Sequence, residues 1–461
     1  MRAAPLAGGA PGPDRLRPLL DTVLDALRTG AEDRGGPLPA GGPQAVAHQV
    51  REAIGEALPE DGTGAAEALF TLVRAVTAGA ADPAHPLCAA HLHTPPLALA
   101  AAADLAASVL NPSLDSWDQA PAASALEALV TAALAAEAFP AAPRPDGLVT
   151  TGGTESNQLA LLLARERHER HGTVQTLVGA NAHHSFRRAA WLLGLPEPVV
   201  VPAPSGTMDP AALAQALTEL PGPLLVAATA GTTDAGLIDP LPEIAELCAA
   251  HGNADLHVDA AYGGPLLFSD RHRPLLAGLD RARTVTVDLH KLGWQPAAAG
   301  LLAVRDADDL AVLGHTADYL NADDDTDAGL PDLLGRSLRT TRRPDVLKTA
   351  VTLRALGRSG LGALVDACMA LAEELAALVE KAPGLELYAR PTLTTVLFRP
   401  YGASDEAVAG IRRALLAEGR AVLGRAAADG RLWLKATLLN PHATPGDLAQ
   451  IISLVEGGTD R

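Results

Sequence analysis

Apolar residues follow two rhythms along this chain. Seven short apolar or β-branched runs, at 148–151, 176–179, 199–201, 224–228, 256–258, 284–287 and 300–304, stand between turn-forming residues and predict strands. Stretches of helical period separate them, the clearest in TTGGTESNQLALLLARER at 150–167, where Thr154 is placed to cap a helix. This alternation predicts an α/β fold in which a mostly parallel, seven-stranded sheet is covered by helices on both faces. The flanks differ. Residues 1–84 read as helices broken by a Gly/Pro-rich stretch at 35–43. After Pro344 come a long helix at 345–356, another through Val379, and the strand-like runs LTTVLFRP and RLWLKATLL, an order that suits a small α+β domain. The expected division is 1–84, 85–340 and 341–461.

Charge and composition narrow the function. A formal net charge of -18 argues against binding a phosphate backbone and would attract a dicationic small molecule. Aromatic residues make up only 3%, so alanine, leucine and valine must fill the interior. Cys88, Cys248 and Cys368 show no paired spacing, which predicts free thiols in a reducing cytoplasm and no metal site. The amino terminus, MRAAPLAGGAPGPDR, is broken by Pro and Gly and reads as no targeting segment. The most apolar helix candidate, 97–110, contains Asp104 and is too short to span a bilayer, so no membrane association is expected.

The candidate chemistry starts from a scarcity. Lys+Arg total 36, yet the only lysines are Lys291, Lys348, Lys381 and Lys435. Arginine stays protonated, whereas a lysine amine can lose its proton and attack a carbonyl, so lysine persists best where that chemistry is needed. Lys291 follows the predicted strand at 284–287, where ligands of open α/β sheets bind. Asp259 closes another strand-like run and is placed to keep a heteroaromatic nitrogen protonated. Gly152 and Gly153 precede a helix start, the usual cradle for a phosphate. A lysine that bonds an aldehyde, paired with an aspartate on a ring nitrogen, points to pyridoxal 5'-phosphate.

At these residues the chain resembles the group II pyridoxal-phosphate-dependent amino-acid decarboxylases. The segments that carry the resemblance are TGGTESN at 151–157, AHHSFRRAA at 182–190, ATAGTTDAGLIDP at 228–240, HVDAAYGG at 257–264 and DLHKLGWQP at 288–296. AHLHTPP at 90–96, SLDSWDQAPAASALE at 113–127, ADYLN at 317–321 and LKATLLNPH at 434–442 look more like the bacterial 2,4-diaminobutyrate and siderophore lysine decarboxylases. The resemblance implies fold-type I and a homodimer with its active site at the subunit interface, the amino-terminal segment packing on the partner. It implies that Lys291 bonds the cofactor's aldehyde carbon, that Asp259 holds the ring nitrogen, and that His183 stacks on the ring and orients the substrate carboxylate. Gly153, Thr154 and His290 would hold the phosphate, Thr233 would lie at the 3-hydroxyl, and Ala261 would leave room for the ring. Tyr319 would return a proton to the carbon that loses carbon dioxide, which favours simple decarboxylation over aldehyde-forming oxidation.

His91, His93 and Thr94 fall where relatives line the substrate pocket; without the resemblance the two histidines read as hydrogen-bonded core residues. Their presence in place of aromatic side chains leans toward 2,4-diaminobutyrate, ornithine or lysine, with glutamate, aspartate and aromatic amino acids as alternatives. Asp115, Asp118 and Gln119 read equally as structural or amine-binding. Trp117 and Trp294 read as core anchors, Lys348 as structural, one of Arg339, Arg342 or Arg343 as a contact to a neighbouring loop, and the acidic run 323–327 as a solvated loop without metal-binding spacing. A non-catalytic homologue would normally have lost Lys291 or Asp259, and both are present.

Overall fold

The computed structural model describes residues 5–168, 172–315, 317 and 320–458. In chain order its strands are β1 (Cys88–Ala89), β2 (Asp146–Thr150), β3 (Gln175–Gly179), β4 (Val199–Val201), β5 (Leu224–Thr229), β6 (Ala254–Ala260), β7 (Thr284–Asp288), β8 (Gly300–Val304), β9 (Leu385–Leu387), β10 (Thr395–Pro400), β11 (Val422–Ala428) and β12 (Arg431–Thr437).

Contacts divide the chain into two compact units. One comprises 96–370 and 391–395, the other 1–95, 371–390 and 396–461. Residues 341–370, grouped by the sequence pattern with the C-terminal part, belong to the first of these.

The 96–370 unit is built on a seven-stranded sheet in the order β2-β8-β7-β6-β5-β3-β4. Strands β4, β3, β5, β6 and β7 pair in parallel, while β8 runs antiparallel to both β7 and β2. Every residue of β5, β7 and β8 is buried, as strands covered on both faces require. The helix Gly153–His168 follows β2 and reaches two clusters. Leu159, Ala160, Leu162 and Leu163 pack with Leu148 and Leu302, whereas Leu161 and Ala164 pack with Phe186 and Leu225. The core is dominated by alanine, leucine and valine, as the low aromatic content requires.

The other unit carries a five-stranded sheet, β1-β11-β12-β10-β9. Leu371, Leu375, Val408, Ile411, Leu448 and Ile452 from its helices pack with Val396, Phe398 and Leu434 of the sheet. The two helices expected after Pro344 are both present within Val346–Lys381, separated at Gly357, whose φ of 64° and ψ of -179° are not helical.

Several expectations change. Trp294 is buried, but Trp117 is 40% exposed because its turn sends Leu114, Asp115 and Ser116 inward instead. Asp115 accepts from Ser113 Oγ and Gln119 Nε2, and Asp118 from Ser116 Oγ, so these polar groups satisfy one another within the turn. The acidic run forms a short helix, Asp323–Asp327, and no metal-binding group occurs among the described residues. Lys348 is structural, its buried amine lying 3.1 Å from Asp104 and 3.3 Å from Asp345. Ala98–Leu110 is too short to span a bilayer, as expected, but among the described residues Pro121–Ala138 is long and apolar enough to do so. It buries one face, with Ser124, Glu127, Thr131, Leu134, Ala135 and Ala138 inward, and leaves Leu129 exposed.

Glu127 on that helix receives Arg342 Nη1 at 2.9 Å on both carboxylate oxygens, and both residues are less than 5% exposed. Removing one partner leaves the other charge buried alone. Arg342→Met is therefore expected to lower unfolding free energy by about 3–5 kcal/mol, measured by chemical denaturation.

Candidate active site

The site forms at the carboxyl ends of β2, β6 and β7, where an open α/β sheet presents its loops. Asp288 ends β7, and the chain turns immediately so that His290 and Lys291 leave the strand together. Ala299 O anchors this turn by accepting from Leu289 N, His290 N and His290 Nδ1 at 2.8, 3.3 and 3.2 Å. Lys291 Nζ lies 3.1 Å from Asp288 Oδ2, and His290 Nε2 lies 3.6 Å from the same oxygen. Asp288 is 2% exposed, and its Oδ1 has no hydrogen-bond partner.

After β2, the backbone passes close to these side chains because two residues lack a Cβ. A Cβ on Gly152, whose φ is 150°, would sit 2.9 Å from His290 Cε1. One on Gly153 would meet Ala261 Cβ at 3.0 Å and Asp288 Oδ2 at 3.3 Å. The helix begins at Gly153, so Thr154 lies in its exposed first turn and does not cap it, contrary to expectation. Glu155 instead accepts from Thr151 N and Thr151 Oγ1 at 2.6 and 2.7 Å. The first-turn N–H groups have no intrahelical acceptor by construction and are disposed toward an anion.

Asp259, in β6, is buried yet anionic in its bonding. Its Oδ2 accepts from Asn157 Nδ2 at 2.7 Å and its Oδ1 from Ala261 N at 3.1 Å. Asn157 also donates to Ser185 Oγ at 3.0 Å, while its Oδ1 faces His257 Nε2 at 3.1 Å and Thr286 Oγ1 at 2.9 Å. His257 Nδ1 in turn meets Thr284 Oγ1 at 2.8 Å. His183 is half-buried and takes a hydrogen bond from Ser185 N on Nδ1 at 3.3 Å. Burial pushes its pKa down, and the charges of Asp259, Lys291 and Asp288 all reach it.

Burial also pushes His257 down, to about 4, so it is neutral at working pH. The stability of the neutral form is complete above about pH 6.5 and is lost as the pH falls toward 4, because the unfolded chain takes up the proton first. The shift corresponds to about 3 kcal/mol. The acid limb of a pH–stability curve should therefore be shallower for His257→Gln than for the parent.

The expected site residues thus separate into groups. Gly153, Thr154, His183, Asp259, Ala261, His290 and Lys291 occur in the 96–370 unit, around these strand ends. Thr233 lies on the turn after β5 and is exposed, whereas its neighbour Thr232 is buried and takes the turn's hydrogen bond from Leu237 N at 3.0 Å. His91, His93 and Thr94 belong to the other unit. There both histidines are exposed, unlike core residues, and Thr94 is buried with its hydroxyl 3.5 Å from Leu439 O. Tyr319 lies outside the described residues. Local sequence gives no role to Asn157, His257, Thr286 or Asp288; their signal is that they are polar residues inside otherwise apolar strands and a helix.

Residues 48–401 match the model of the pyridoxal-dependent decarboxylase conserved domain. The chain belongs to the pyridoxal-dependent decarboxylase family. It is an amino-acid decarboxylase whose cofactor is pyridoxal 5'-phosphate. Among relatives of this family, the L-2,4-diaminobutyrate decarboxylase of Rhizobium meliloti (strain 1021) is 43% identical over 415 residues, covering 86% of this chain and 83% of that protein. The enzyme of the same name from Acinetobacter baumannii is 31% identical over 448 residues, with 90% and 88% coverage. The glutamate decarboxylase domain of a diaminobutyrate-pyruvate transaminase and L-2,4-diaminobutyrate decarboxylase from Vibrio parahaemolyticus superimposes with a TM-score of 0.87 at 31% identity, covering 99% of this chain and 97% of that one. The fold-type I architecture is therefore the one observed. The site also suits the family's cofactor chemically: an amine beside a carboxylate, a second buried carboxylate with both oxygens held by donors, and a glycine-lined helix start that a single Cβ would close.

Proposed function

We propose that this decarboxylase converts an L-diamino acid, 2,4-diaminobutyrate, lysine or ornithine, to its amine and carbon dioxide. The observation that carries the site is the convergence of Lys291, Asp259 and His183 at one end of the sheet. For the substrate, support comes from two relatives with diaminobutyrate in their names, aligned over most of their length, and from a net charge of -18 that favours approach of a cationic substrate.

When bound, pyridoxal phosphate supplies an electron sink for the pair left behind as carbon dioxide departs. The chain's own residues hold and orient. Lys291 binds the cofactor through its amine. Asp259 keeps a proton on the ring nitrogen. Gly153, Thr154 and His290 would hold the phosphate, Ala261 would leave space for the ring, and Thr233 would lie on the side of the 3-hydroxyl. His183 would orient the substrate carboxylate, and His91, His93 and Thr94 would contact the substrate's side chain. Tyr319 would deliver a proton to the α-carbon. The functional enzyme is a cytoplasmic homodimer with the site at the subunit interface. Exposed Leu24, Leu27 and Val76 on the amino-terminal helices suit such a partner surface.

The test is carbon dioxide release from a panel of amino acids. Release from one or more diamino acids supports this reading, and release confined to glutamate, aspartate or aromatic substrates contradicts it. In aerated buffer, Tyr319→Phe should raise aldehyde and hydrogen peroxide relative to amine, measured in the same assay.

A further inference from the structure

We propose that His257, acting through Asn157, is a positioning residue for Asp259: a fully buried line of hydrogen bonds aims the aspartate at the cofactor's ring nitrogen and keeps it an acceptor. This rests on the reading that Asp259 faces that nitrogen. The direction of the line follows from its end. A carboxylate only accepts, so the Asn157 group 2.7 Å from Asp259 Oδ2 is the amide nitrogen, and Asn157 Oδ1 faces the other way. The two groups meeting Oδ1 must then donate. Thr286 Oγ1 donates at 2.9 Å, and His257 carries its proton on Nε2, 3.1 Å away. Being neutral, His257 accepts on Nδ1 from Thr284 Oγ1 at 2.8 Å. His257, Asn157 and Thr286 are all 0% exposed, so no solvent competes for these bonds. The second amide hydrogen is taken by Ser185 Oγ at 3.0 Å.

Every donor and acceptor of Asn157 is thereby engaged in one orientation. A flipped amide would place oxygen against the Asp259 carboxylate and nitrogen against two donors, which the line forbids. Asp259 Oδ1 is separately fixed by Ala261 N. A histidine serving only as core filling would need its two nitrogens satisfied, but it would not need a line of donors ending on a carboxylate of the site. The residues come from two strands and a helix: His257 and Asp259 from β6, Thr284 and Thr286 from β7, and Asn157 from Gly153–His168.

The experiment is a double-mutant cycle read by affinity of the apoprotein for pyridoxal phosphate, followed by fluorescence. His257→Leu should weaken binding about tenfold, and His257→Gln, which can donate from its amide nitrogen, should remain within about threefold of the parent. In an Asp259→Ala background the same His257→Leu change should shift affinity less than about twofold, because the group it positions is gone. Thr286→Val, nearly isosteric, should act in the same direction as His257→Leu and serves if the latter fails to fold. Equal losses from His257→Leu with and without Asp259 would overturn the proposal and leave His257 a structural residue. If Asp259→Ala alone leaves affinity unchanged, the reading of Asp259 fails first, and the proposal falls with it.

Discussion

Lys291→Arg should lower carbon dioxide release by at least about 10⁴-fold while leaving the protein folded. The choice of arginine separates chemistry from structure. Lys291 Nζ sits 3.1 Å from Asp288 Oδ2, and Asp288 Oδ1 already lacks a partner. Alanine at 291 would leave that buried carboxylate without its cation and could lose stability for that reason alone. Arginine retains a positive charge in reach of Asp288 but stays protonated and cannot bond an aldehyde carbon. A variant with parent-like thermal stability and no measurable turnover therefore assigns the loss to the amine. Activity within about tenfold of the parent would show that Lys291 is not the group that holds the cofactor.

The second large effect is expected at Asp259. Asp259→Asn should reduce kcat/KM by roughly 10² to 10⁴-fold, the range given by losing one partner of a desolvated charge pair at about 3–5 kcal/mol. Two donors, Asn157 Nδ2 and Ala261 N, already address the carboxylate oxygens at 2.7 and 3.1 Å. An amide at this position must set its own NH₂ against one of them, so the substitution removes charge and introduces a donor–donor conflict together. Steady-state kinetics with a diamino acid, beside cofactor affinity, measures it. A change below about fivefold would place the ring nitrogen's partner elsewhere.

Much of this was legible in the residues. The seven strand-like runs correspond to the seven strands of the large sheet, because strands buried on both faces must be apolar whatever surrounds them. Lys291 stood out because the chain spends so few lysines, and Asp259 because a carboxylate closing an apolar strand needs partners. What stayed hidden depends on contacts between distant positions. Asn157 meets Asp259 across 102 residues, and Arg342 meets Glu127 across 215. Neither spacing leaves a trace in local periodicity. Thr154 does not cap because Gly152 and Gly153, free of Cβ, let the helix start at Gly153, two residues earlier than a cap at Thr154 implies. Trp117 was misread because aromatic residues usually anchor cores, whereas here Leu114 and Asp115 take the inward positions of its turn.

The central claim is that Lys291 carries pyridoxal phosphate at the ends of β2, β6 and β7. Borohydride reduction of the holoenzyme, followed by proteolysis and mass spectrometry, tests it most directly. The account predicts one phosphopyridoxyl adduct, on the peptide containing Lys291. An adduct on Lys348, Lys381 or Lys435 instead, or none after saturation with the cofactor, would contradict it.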